Sequence, residues 1–181
     1  MTPSQRDETI SHIEDEIPRL RRFARYLVRD IDYADDLVQE CLLRAIKNID
    51  SFEPGTNLRA WLLVILKNVF RNDLRKSGRE VAYDPQDDND LTVAVPAAQD
   101  ARMALLEVRE AFLKLSEEHR EILLLVAIEG LKYEEASVVL DVAVGTVRSR
   151  LSRARLALRD LIGDESVDIT RVVDHKGQSD T

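Results

Sequence analysis

Apolar residues recur along most of this chain at intervals of three and four, the spacing of one face of an α-helix. Ile17, Leu20, Ala24, Leu27 and Val28 form the first such stripe. A second helix is expected after Asp32, a favoured N-cap, with Asp35 and Asp36 in the first turn where the helix dipole stabilises carboxylates. It carries Leu37, Val38, Cys41, Leu42, Ala45 and Ile46. Pro54-Gly55 then marks a turn, and a third helix is expected from about Leu58 to Ser77, with Gly78 as its stop. Residues 60–66 are apolar nearly all round, so the first half of that helix should be buried.

Periodicity disappears over residues 80–100, where Asp84, Pro85, Asp87, Asp88, Asn89, Asp90 and Pro96 read as a flexible acidic linker. It resumes with Leu105, Val108, Ala111, Phe112 and Leu115. Ser116, followed by two glutamates, is placed to cap a helix rich in Ile122, Leu123, Leu125 and Val126, which Gly130 ends. A short helix at 133–140 and a longer one from about 145 to 162 follow. No strand-like alternation competes with this pattern. The expected fold is therefore all-α, with two small helical domains joined by the linker. The expected boundaries are a flexible N-terminus at 1–14, a first domain at 15–79, a linker at 80–101, a second domain at 102–163 and a disordered tail at 164–181.

Composition narrows the function. A net charge of −8 over 181 residues looks unfavourable for nucleic acid, yet phosphates respond to local charge within a Debye length of about 8 Å. Arg59, Lys67, Arg71, Arg75, Lys76 and Arg79 face only Asp73 in their stretch, and Arg148, Arg150, Arg153, Arg155 and Arg159 face no acid in theirs. Two basic patches are thus set apart by an acidic one. The single cysteine, Cys41, excludes an internal disulfide and fits a reducing compartment. The apolar runs are too short to span a bilayer, and the polar N-terminus lacks the apolar core of a signal peptide. A cytoplasmic protein is expected.

Residues 133–158 read YEEASVVLDVAVGTVRSRLSRARLAL. The first helix of this segment buries Ala136, Val139 and Leu140, a bend follows at 141–144, and Val147, Leu151, Ala154 and Leu158 then repeat on one stripe. Arg148, Ser149, Ser152, Arg153, Arg155 and Arg159 occupy the rest of the arc. A short helix paired with a longer one, a tight bend and a small residue at the crossing describe a helix-turn-helix, whose second helix enters a major groove. Arginine there reads guanine edges, while serine and Thr146 reach phosphates.

In the third helix, Lys67, Arg71 and Arg75 share one stripe and Asn68 and Asn72 the next. This pattern fits a nucleic-acid face and an ordinary solvated helix end equally well. Trp61, flanked by Ala60 and Leu62, is expected in the core. Asp36, Gln39, Glu40 and Arg44 make the polar face of the second helix, which by itself names no partner.

Taken together, DDLVQECLLRA (35–45), SFEPGTNLRAWLLVILKN (51–68), LSEEHREILLLVAIEGLKYEEA (115–136) and VGTVRSRLSRARLAL (144–158) resemble a bacterial sigma factor of the extracytoplasmic-function group, in the family's order, over roughly residues 15–162. The PGTNLRAW wording is most similar to alphaproteobacterial members, including general-stress types. The resemblance implies a two-domain initiation factor that brings core RNA polymerase to selected promoters. It implies that Asp36, Leu37, Gln39 and Glu40 grip the clamp of the β′ subunit, with further contact to the β subunit. It also implies that the loop at 53–57, with Glu53, Gly55, Thr56 and Asn57, captures a flipped base of the minus-ten element. Lys67, Asn68, Arg71, Asn72 and Arg75 would then contact that element. Thr146, Arg148, Ser149, Arg150, Ser152 and Arg153 would read the minus-thirty-five element, and an anti-sigma protein would regulate the whole. Three departures stand out: Lys132 where a Ser or Thr cap is usual, Ala143 where proline is frequent, and a smaller side chain than usual at Ser152.

Other classes fit less well. A stand-alone helix-turn-helix regulator would need its own dimer interface or effector pocket and would not need the 35–45 block. An enzyme is not expected. His12, His119 and His175 are scattered, the Asp84–Asp88–Asp90 run has Asn89 in place of a calcium loop's glycine, and no nucleophile elbow or phosphate-binding loop occurs. No cofactor or metal is expected.

Overall fold

The computed structural model describes residues 3–28, 30–77 and 99–163. Among these, every regular element is helical. The chain divides into two compact units between residues 84 and 85.

The first unit contains α1 (Pro3–Leu27), α2 (Ile31–Lys47), a single 3₁₀ turn (Ile49–Ser51) and α3 (Leu58–Ser77). Each of the three helices packs on the other two. Leu20, Phe23 and Ala24 of α1, Leu37, Val38 and Cys41 of α2, and Leu62, Leu63 and Leu66 of α3 form the core. Asp30, not Asp32, is the N-cap of α2: its carboxylate accepts the Tyr33 N–H at 3.0 Å. α2 therefore begins at Ile31, two residues before the start that a cap at Asp32 would give. α1 also begins at Pro3, inside the stretch expected to be a flexible N-terminus at 1–14. Thr9 and Ile13 extend the buried stripe backwards from Leu20, and Arg6 pairs with Asp50 at 3.3 Å. Apolar residues are sparse there, so the stripe was too thin to show against its charged neighbours.

The second unit contains α4 (Gln99–Leu113), α5 (Glu117–Leu123), α6 (Tyr133–Leu140) and α7 (Val144–Ile162). α4 starts inside the stretch expected to be linker. The rest of that stretch, Gly78 and the 164–181 tail lie outside the described residues. Ser116 caps α5 as expected, its hydroxyl accepting the His119 N–H. α5 runs on into a π-helical segment (Leu124–Ile128), whose widened turn is closed by Glu129 N–H donating to the Leu124 carbonyl at 2.9 Å. Ile122, Leu123, Leu124 and Leu125 are all buried. Four consecutive residues cannot share one face of a helix, so this stretch is enclosed on several sides: α5 packs on α7, and the π-helical segment meets α6. Gly130 ends it with φ +70°.

Candidate nucleic-acid interface

The bend between α6 and α7 is made by Asp141, which takes the left-handed conformation at φ 58° and ψ 48°. Aspartate tolerates this region better than most residues. Val142 N–H then reaches back to the Ser137 carbonyl at 3.1 Å, closing the end of α6. Ala136, fully buried, lets the helices approach, and Val147, Leu151, Ala154 and Leu158 seat α7 on the rest of the unit. These are the contacts read from the sequence.

The departures from the family pattern have visible consequences. At the start of α6, Glu135 accepts the Lys132 N–H at 2.7 Å. The reciprocal bond of a capping box is missing, because an ammonium group has no lone pair to offer. At the start of α7, Ala143 has no side-chain acceptor for the first-turn N–H groups.

Arg148, Ser149, Ser152 and Arg153 are exposed along α7, and Thr146 is half-buried in its first turn. The Ser149 hydroxyl donates to the Thr146 carbonyl at 3.0 Å, and Arg153 Nε to the Ser149 carbonyl at 3.3 Å. Both side chains therefore lie along the helix. Arg150 differs: it turns onto α5 and pairs with Glu118 at 3.3 Å, leaving it 23% exposed against 64% for its partner. Leu156, 53% exposed, shares the arginine–serine face two turns beyond Ser149.

In the first unit, the loop before α3 has internal order. Gly55 adopts φ +91°, which an L side chain rarely does. Thr56 bonds the Glu53 carbonyl twice, through N–H at 3.1 Å and hydroxyl at 2.7 Å. Asn57 Oδ1 accepts the Ala60 N–H at 3.3 Å and so caps α3. Glu53, Gly55 and Thr56 are exposed and Asn57 is half-buried. Beneath them Phe52 packs on Trp61, ring centres 5.4 Å apart and tilted by 51°; Trp61 is half-buried, not core.

Along α3, Asn68 and Arg75 are exposed and Arg71 and Asn72 half-buried. Arg75 donates to Asn72 Oδ1 at 2.7 Å. Lys67, by contrast, is buried at 8% exposure. At about 100° per residue it falls at the margin of the Asn68 face, and its long stem packs inward, so it is not presented with Arg71 and Arg75.

On α2, Asp36 and Gln39 are exposed and Glu40 is half-buried, bonded to Arg44 at 2.6 Å. Leu37 is buried at 3% and belongs to the core. Ile31 is an outward apolar position at the start of the helix, and Leu43, 65% exposed, and Ile46 are others near Gln39 and Glu40. Helical angle identifies them, since Leu43 lies one turn beyond Gln39 and away from Cys41; the apolar pattern alone had assigned Ile46 inward.

Glu16 and Cys41 have shifted ionisation. Burial pushes Glu16 up, but the hydrogen bond and charge of Arg59, with Arg19, more than offset this and hold its carboxyl below the usual range. Burial pushes the Cys41 thiol up to about 12, and its S–H donates to the Leu62 carbonyl at 3.5 Å. Among the described residues no cluster of His, Cys, Asp or Glu could hold a metal, and no helix is long and apolar enough to cross a membrane.

Two family descriptions match this chain: Sigma-70 region 2 over residues 12–80 and Sigma-70, region 4 over residues 105–158. The ECF RNA polymerase sigma factor EcfG of Rhodopseudomonas palustris is 46% identical over 90% of this chain and 87% of its own. The chain is a sigma factor of the extracytoplasmic-function group. It is a transcription initiation factor and not an enzyme. Among solved structures, the sigma factor resembles RpoE in its complex with the anti-sigma factor NepR from Bartonella quintana (TM-score 0.64, 38% identity, 86% of this chain and 97% of that one). It also resembles CnrH in complex with the cytosolic domain of CnrY (TM-score 0.58, 27% identity, 89% and 96%).

Proposed function

We propose that this sigma factor directs core RNA polymerase to promoters carrying two short elements, which its two units read in different ways. The observation that carries the reading is the open face of α7. Arg148, Ser149, Ser152 and Arg153 stand clear of the unit on a helix seated by a single apolar stripe, as groove reading requires. Arg148 and Arg153 read base edges of the minus-thirty-five element, and the uncapped first turn of α7, with Thr146, meets a phosphate. Arg150 acts through Glu118 by orienting α7.

The ordered loop Glu53, Gly55, Thr56 and Asn57 receives a flipped base of the minus-ten element, with Asn68, Arg71, Asn72 and Arg75 beside it. Lys67 supports this face from within. Core polymerase docks on the outward face of α2, through Asp36, Gln39 and Glu40, with Leu43 and Ile46 in place of the buried Leu37. An anti-sigma protein holds the factor inactive, in keeping with the partners named for the RpoE and CnrH structures, and the genes served are those of a stress response. The work is done in the cytoplasm.

With a net charge of −8, the free chain is repelled by DNA over most of its surface. It binds promoters well only when polymerase holds both units over one site, an effective-concentration effect. The test is to add the protein to sigma-free core polymerase and sequence the transcripts begun on host genomic DNA. Discrete start sites preceded by two shared elements are expected. Arg148→Ala should weaken use of the upstream element and Asn68→Ala use of the downstream one. Absence of specific initiation by folded protein free of inhibitor sinks the proposal.

A further inference from the structure

We infer that α3 is pinned from behind at both ends, by the Glu16–Arg59 ion pair and the Tyr33–Asp73 hydrogen bond, and that these four are positioning residues for minus-ten recognition. The inference rests on the reading of the 53–57 loop and of Asn68 and Asn72 as the surface that meets that element.

Leu62, Leu63, Leu66, Val69 and Phe70 define the buried back of α3. At about 100° per residue, Arg59 and Asp73 fall on this same side, while Asn68, Asn72 and Arg75 fall on the opposite one. The two pins are about 21 Å apart along the helix axis at 1.5 Å per residue, so they fix its two ends. Arg59 grips Glu16 of α1 with two prongs, Nε at 2.7 Å and Nη2 at 3.2 Å. Arg19 adds a bond to the same carboxylate at 3.3 Å. The pair is largely withdrawn from solvent, 21% and 14% exposed. At the other end, the Tyr33 hydroxyl of α2 donates to Asp73 Oδ2. Arg59 lies two residues past Asn57, so the first pin also anchors the exit of the base-capturing loop. The Arg6–Asp50 pair ties α1 to the loop's entrance, more weakly because it is exposed.

Directionality is the reason such pins matter. Hydrophobic burial is non-directional; the apolar back of α3 sets how deep the helix sits but resists sliding and rolling less. A forked guanidinium–carboxylate contact fixes direction as well as distance. A pocket for one base works only if held to within about 0.5 Å, so the loss of a pin shows in accuracy before it shows in folding.

The test uses the full chain on core polymerase. Initiation is compared between a promoter with an intact minus-ten element and the same promoter with one base of that element replaced. The ratio of the two rates does not depend on how much of the protein is active. Glu16→Gln and Tyr33→Phe are each expected to lower this ratio about tenfold, the scale of one mismatched position. Affinity for core polymerase and discrimination at the minus-thirty-five element should stay unchanged. Arg59→Lys keeps the charge but loses the fork, and its ratio should lie between those of the parent and Glu16→Gln. If both pin variants keep the parental ratio while Asn68→Ala lowers it, the pins are refuted and the site stands. If Asn68→Ala also keeps the parental ratio, the assignment of this face to the minus-ten element fails and takes the pins with it. Equal losses of discrimination at both elements would mark a merely structural role and overturn the inference.

Discussion

α7 meets its unit through the stripe Val147, Leu151, Ala154 and Leu158 and leaves most of its circumference to solvent. α3 is enclosed through its first half, bonded to two other helices, and offers a narrow strip of Asn68, Asn72 and Arg75. The contrast suits two kinds of recognition. A helix that enters a groove needs length and reach, and long arginine side chains absorb small errors of placement. A surface that receives a single base needs a fixed cradle, which the scaffold around it must supply. Helix exposure and scaffold rigidity are thus traded in opposite directions by the two units.

The largest way to break this contrast is to hollow out the enclosed helix. Leu66→Ala removes a fully buried side chain and is expected to destabilise the first unit by about 2–5 kcal/mol, read as a lower melting transition by circular dichroism. Leu156→Ala, on the open face of α7, should shift stability by no more than about 0.5 kcal/mol. Comparable effects at the two positions would show that α3 is no more enclosed than α7.

A subtler test separates reading from orienting within α7. Arg148→Ala should cost about 1–3 kcal/mol of discrimination at the upstream element, the value of a good arginine–base contact. Arg150→Ala removes a pair whose carboxylate is mostly exposed, so its expected cost is below about 1 kcal/mol. Polymerase-dependent binding to matched and mismatched elements distinguishes them, and equal losses would return Arg150 to the reading face. The last effect is a gain. Lys132→Thr supplies the acceptor that the half-made capping box of α6 lacks and should add about 1 kcal/mol, measured by chemical denaturation of the second unit.

The same contrast explains what the sequence revealed. The bounds of α6 and the face of α7 were legible because one apolar stripe and one polar arc are separable by period alone. α3 as an element was equally clear, down to its ends at Leu58 and Ser77. Its exposed face was not, because Lys67 and Arg71 look alike in a pattern and differ only in which way a long stem packs. Leu37 and Leu43 show the same limit on α2: both are leucines on an amphipathic helix, and the choice of which faces inward is made by α1 and α3. The early start of α1 escaped because charged residues outnumber Thr9 and Ile13, and the Arg150–Glu118 pair escaped because its two residues lie on different helices. Contacts distant in sequence leave no periodic trace.

Cys41 gives the experimenter an advantage. Thiol-directed dyes react with the thiolate, and a fully buried sulfur whose pKa is pushed up to about 12 supplies almost none near neutral pH. It is also the chain's sole cysteine. A fluorophore attached through Thr56→Cys would report on the loop, and one attached through Ser152→Cys on the recognition helix, each against a silent native background. The two units can therefore be watched separately, in real time, as polymerase and promoter come together.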